Sequence, residues 1–170
     1  MSLYEASVPQ LKKMLNNLEH WIEVAQGHAK KRAFDENTLA SARLAPDQFA
    51  FARQVQSACD NAKFIVARLA GKTPPSHPDT EQTLEQLKQR VRAVVEYLDS
   101  FKPAELDGSE KRRLELPFLE GKVILGQHYF YEFGLPNFYF HLVTAYAILR
   151  HNGVDLGKRD FIGAMTLQDK

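Results

Sequence analysis

"PNFYFHLVTAYAILRHNG", Pro136 to Gly153, reads as a helix, yet between Glu132 and Arg150 it carries no formally charged residue. Its strongly polar groups are Asn137, His141 and Thr144. A helix apolar on nearly every side is a buried one, so the chain must supply other helices to pack around it. On a wheel of about 100° per residue, Asn137, His141, Thr144, Ile148 and His151 fall on one narrow arc, flanked by Phe138, Phe140, Leu142, Val143, Ala145 and Leu149. A solvent face normally carries Lys, Glu or Arg. This arc carries none, so it is expected to face the interior or a cleft, where its polar groups must find partners.

Working outward, three further segments show helical periodicity. The first, from about Val8 to Lys31, places Val8, Leu11, Leu15, Leu18, Ile22 and Ala25 at alternating spacings of three and four, an apolar stripe on one helix face. Ser7 and Gln10 can form a capping box at its start, with Pro9 in the first turn. The second, from about Pro46 to Ala70, repeats the stripe in Ala52, Val55, Cys59, Ala62, Val66 and Leu69 and stops at Gly71. After "KTPPSHPDT", whose prolines break any helix, a third stripe runs through Leu84, Leu87, Val91, Val94, Leu98 and Phe101, with Asp79 and Gln82 as a capping box. Between the third helix and the fourth, "RLELPFLEGKVILG" alternates, turns at Glu120-Gly121 and alternates again, the pattern of a small β-hairpin. The expected fold is all-α: one domain over residues 1–170, a four-helix bundle with shallow crossings and a hairpin between helices 3 and 4.

Composition excludes several function classes. At 170 residues, 44% hydrophobic and 25% charged, the chain has the make-up of an ordinary globular domain. A net charge of +1 offers no bulk attraction to nucleic acid. No run approaches the ~20 apolar residues of a bilayer span, and "MSLYEASVPQ" lacks the pattern of a signal peptide. With Cys59 as the single cysteine there is no disulfide framework or C-x-x-C clip, and a cytoplasmic location is expected.

The strings "MSLYEASVP", "RLAPDQFAFARQVQSACDNAK" and "LPNFYFHLVTAYAILRHNGVDLGKRDFIG" resemble a domain-of-unknown-function branch of the DinB/YfiT-like superfamily, over nearly the whole chain. The resemblance implies an up-down-down-up four-helix bundle, often a homodimer. Many members hold a divalent metal, zinc or nickel, with one His from helix 2 and an H-x-x-x-H pair on helix 4, and some are thiol-dependent transferases or isomerases. Carried over residue by residue, His141 matches the second His of the pair, Asn137 stands where the first would be, and helix 2 offers Gln54 or Gln56 in place of His. An amide oxygen is a weaker ligand than imidazole for late first-row metals, although two amides and an imidazole can hold a small polar ligand by hydrogen bonds.

The candidate ligand-binding residues are therefore His141, Asn137, Thr144, Gln54, Gln56 and His128, with His141 and His128 as candidate metal ligands. His128 precedes helix 4 in the aromatic run "QHYFYEF" and could approach the same cleft with a near-neutral pKa. His151 is expected to cap the helix C-terminus, His20, His28 and His77 to face solvent, Asp60 and Asp47 to be surface or capping carboxylates, and Cys59 to be core. Three functions follow: small-molecule binding at a degenerate metal site, a metal-dependent thiol transferase or hydrolase, or a scaffold for partner binding. The aromatic density from Phe118 to Tyr146 fits a closed cleft or a homodimer interface.

Overall fold

The computed structural model describes residues 2–168. Four long helices dominate, α1 (Leu3–Arg32), α2 (Phe51–Ala70), α3 (Leu84–Asp99) and α4 (Leu135–His151), followed by a short α5 (Lys158–Ile162). Strands β1 (Arg113–Glu115) and β2 (Val123–Leu125) pair antiparallel with Leu114 opposite Ile124. The all-α bundle and the hairpin before the fourth helix are both present.

Side-chain pairs set the helix directions. Lys12 meets Asp99 and Glu19 meets Arg92, so α1 and α3 are antiparallel. Asp60 meets Arg90, and just beyond the helix ends Lys72 sits over Phe101, so α2 runs parallel to α3. Gln54 meets His141 and Arg68 meets Tyr129, so the α4 segment runs antiparallel to α2. The order is up-down-down-up.

That order explains the proline-rich loop. With α2 and α3 parallel, the chain must return the full length of α2, about 30 Å at 1.5 Å per residue. Residues 71–83, with Pro74, Pro75 and Pro78 and no regular structure over most of their length, make that return. An extended proline-rich chain needs only about ten residues for it, at roughly 3.1 Å each.

The predicted stripes form the core. Every stripe residue of α1 and α3 is buried, as are Val55, Cys59, Ala62, Val66 and Leu69 of α2. Burial pushes the Cys59 thiol up to about 12, so it packs as an apolar group and not as a nucleophile. Trp21, off the α1 stripe, is fully buried too, stacked on Phe161 with its Nε1 donating to the Asp160 carbonyl, which docks α5 on α1.

The helix starts differ from the sequence reading, for local reasons. α1 begins at Leu3 with a Ser2/Glu5 capping box, not at Ser7/Gln10. Ser7 is buried inside the helix and its hydroxyl bonds the Leu3 carbonyl one turn back, and Pro9 is accommodated within the helix. α2 starts at Phe51, not Pro46, after an irregular stretch. α3 is capped by Thr83 and Gln86, because Asp79 is drawn instead to Arg53 and Arg90. The run "QHYFYEF" is helical as well. Residues 126–128 form an α-turn, Tyr129–Gly134 a π-helical turn, and both lead without a break into α4. Gly134 lets the two helices close up there, since a Cβ would lie 2.8 Å from Ile65 Cγ1 of α2.

Candidate functional site

His141 is buried on the α2 side of α4. Its Nδ1 lies 2.7 Å from Gln54 Oε1, while Gln54 Nε2 donates to the Phe49 carbonyl at 3.2 Å. The amide orientation follows from that second bond, since only its NH2 can donate to a carbonyl. The oxygen then faces His141, so Nδ1 must carry the proton and Nε2 is left bare. Burial, reinforced by the nearby Arg53 charge, lowers the His141 pKa below its usual value, so the ring is neutral at pH 7.

One turn earlier on α4, Asn137 Nδ2 donates to Asn61 Oδ1 at 2.6 Å, and Asn61 Nδ2 donates to the Ser57 carbonyl at 2.8 Å. This relay fixes both amides and turns Asn137 Oδ1 away from Asn61. His141 and Asn137 line a groove of about 250 Å³, together with Arg53, Ser57, Asp60, Asn61, Phe64 and Arg68 of α2 and with Phe118 and Phe133. That volume lies just below the ~300 Å³ at which small-molecule pockets begin, so an occupant has to be small. Larger hollows of about 400 Å³ at the hairpin turn and about 390 Å³ against α1 have no buried polar side chain in their walls.

The structure brings only some of the sequence candidates together. Gln54 stands behind His141 as its positioning partner and does not line the groove. Thr144 is buried, but its hydroxyl is spent on the Phe140 carbonyl of its own helix. Gln56 faces the crossover segment, donating to Glu81 and accepting from Arg53. His128 is exposed, pairs with Glu132 at 2.6 Å, and stands thirteen residues before His141 on one continuous helical run, which is ~20 Å along the axis.

Sequence reasoning missed Arg53, Ser57, Asn61 and Arg68. Their spacing was a usable signal, because with Phe64 they occupy a single arc of α2 beside the apolar stripe.

It also misplaced a charged cluster next to the groove. Asp60 and His77, expected at the surface, are inside it. Arg90, 2% exposed, bonds Asp60 at 2.7 Å, Glu81 at 2.9 Å and Asp79 at 3.3 Å. Lys63, also 2% exposed, bonds Asp60 at 2.8 Å and His77 Nδ1 at 2.9 Å. Burial and the Lys63 charge push His77 below its usual pKa. Asp79 is pushed up by burial, but its hydrogen bond and ion pair with Arg53 outweigh this and hold it below the usual carboxylate range. These bonds clamp the returning segment onto α2 and α3.

The donor set does not fit a divalent metal. Among the described residues no three His, Cys, Asp or Glu side chains are placed to hold one metal ion, and the three carboxylates that gather at Arg90 are ion-paired with it. His141 is the one imidazole in the groove, Asp60 is committed to Lys63 and Arg90, and two guanidinium groups line the same walls. Neutral amides and neighbouring cations are poor company for a dication.

Comparison with known proteins agrees with the architecture. Residues 3–162 match the family model for a domain of unknown function, DUF1993. A crystal structure of a DinB family member protein from Shewanella denitrificans is 44% identical, covers 99% of this chain and 96% of that one, and superposes with a TM-score of 0.96. No curated protein matches.

Proposed function

The chain belongs to the DUF1993 family, with a DinB-like fold, and we propose that within it the α2–α4 groove binds a small polar molecule, with His141 Nε2 as the basic group that meets it. The observation that carries this reading is the Phe49–Gln54–His141 chain of hydrogen bonds. A buried polar chain that ends on a bare, neutral nitrogen at a groove wall leaves an acceptor for a ligand proton. Asn137 and Asn61, held by their own relay, add amide contacts one turn away. His141 neutral at pH 7 is also suited to general-base work. A metal-dependent thiol transferase or hydrolase has less support, since no donor set for the metal converges on His141.

Screening polar fragments by side-chain NMR tests the proposal. Binders are expected to shift the His141 imidazole and Asn137 amide resonances together, and Asn137→Leu should weaken them about fivefold or more, as for one lost hydrogen bond with a buried partner left unpaired. A screen in which no binder moves either resonance would count against it.

A homodimer is favoured by a separate observation. The outer face of α4 exposes Phe140 at 56% and Val143 at 49%, and Tyr131 is 57% exposed in the turn before it, an apolar surface of the kind that subunits cover. A monomeric mass by sedimentation at micromolar concentration would refute this. No helix of the described residues is long and apolar enough to cross a membrane, and a cytoplasmic location is part of the same proposal.

A further inference from the structure

The groove has an uneven charge balance. In the cluster beside it, Arg53, Lys63 and Arg90 meet Asp60, Asp79 and Glu81, three cations against three carboxylates. Arg68, which lines the groove, has no such partner, for no carboxylate of the described residues lies within 4 Å of it. Its guanidinium donates to Tyr129 Oη at 3.0 Å and rests over the Phe64 and Tyr129 rings, 4.9 and 5.6 Å from their centroids. Tyr129 does not supply the missing charge: burial pushes its phenol up, Arg68 only partly opposing, and it stays neutral. His141 is neutral as well. The wall therefore carries one positive charge in excess, on a side chain held in place by stacking and with most of its donor fork unused.

Resting on the small-molecule reading above, we propose that the occupant is a carboxylate monoanion, its carboxylate taken by Arg68, its flat apolar body lying along Phe64, Phe133 and Phe118, and its other end reaching Asn137 and His141. The planar fork of Arg matches a carboxylate, and one surplus cation balances one negative charge. The dimensions agree. Asn61, which holds Asn137, and Arg68 are seven residues apart on one helix, about 10 Å at 1.5 Å per residue, the span of a phenyl ring with a short acid chain. Phe118 and Phe133 lie 5.0 Å apart between centroids and form an aromatic wall for such a body.

The test compares 3-phenylpropionate, 3-phenylpropanamide and inorganic phosphate by NMR shift titration of the native protein, Arg68→Gln and Arg68→Lys. The acid is expected to bind about tenfold or more tightly than the amide, as one charge-assisted pair would give. Arg68→Gln should erase that preference, and Arg68→Lys, which keeps the charge without the fork, should keep part of it. Equal affinity of acid and amide, unchanged in Arg68→Gln, with Asn137 still shifting, overturns the anion assignment and leaves the groove reading standing. Phosphate binding as tightly as the acid overturns the carboxylate. If no probe shifts Asn137 or His141, both readings fall.

Discussion

Replacing Arg90 with alanine is expected to lower the folding free energy by about 3–5 kcal/mol, the range for removing one partner of a buried ion pair. The side chain is 2% exposed and its guanidinium serves Asp60, Asp79 and Glu81 together. Without it three carboxylates share the neighbourhood with Lys63 and Arg53, and the two from the crossover, Asp79 and Glu81, lose their tie to α3. Arg90→Lys should cost less but still measurably, since an ammonium group cannot fork to several carboxylates at once. Urea unfolding followed by Trp21 fluorescence reads both values. A loss below about 1 kcal/mol, the value of a surface pair, would show that the crossover is held by something other than this cluster.

A loss of about 3–5 kcal/mol is also expected for Trp21→Ala, the usual cost of truncating a large buried aromatic residue. Trp21 is fully buried, stacks on Phe161 at 5.3 Å, meets Tyr146 edge-on at 5.4 Å and donates its indole proton to Asp160 O at 2.9 Å. Its removal opens a cavity between α1, α4 and α5 and frees α5. Trp21→Phe keeps much of the ring and loses the hydrogen bond, so about 1–2 kcal/mol should go. Circular dichroism must follow these unfolding curves, because Trp21 is the only tryptophan. Equal losses for alanine and phenylalanine would mean that the hydrogen bond, not the packing, anchors α5.

What could be read from the sequence and what could not divide along physical lines. The stripes of α1, α2 and α3 were legible because burial repeats with the helical period, whereas the uncharged fourth helix pointed to burial on every side and is buried only on its inner side, with Phe140 and Val143 exposed. His141 and Asn137 stood out for the same reason, as polar groups where charges were missing. The crossover cluster was hidden, because Asp60, Lys63, His77, Asp79 and Arg90 look like ordinary surface charges until the topology folds the proline-rich segment back along α2. Once α2 and α3 are parallel, those residues must meet. Capping boxes misled for a related reason: Ser7 and Asp79 had the right residue type and spacing, but each had a stronger tertiary or intrahelical partner. The Gln54 link to His141 joins residues 87 apart in sequence, and no local pattern encodes such a pairing.

At the centre of the site is a groove-lining histidine held neutral, its Nδ1 engaged by Gln54 and its Nε2 without a hydrogen-bond partner among the described residues. Its sign with pH is fixed: a His141 pKa lowered on folding means that its contribution to stability is complete above the ordinary histidine value near 6.5 and is lost as pH falls through that value toward the lower folded one. The most direct test is the two-bond 1H–15N imidazole spectrum of His141 recorded from pH 8 to pH 4. The expected result is an Nδ1–H tautomer at neutral pH with a midpoint below 6.5, shifting toward Nε2–H in Gln54→Leu. An Nε2–H tautomer in the native protein, or a midpoint at or above 6.5, would contradict it.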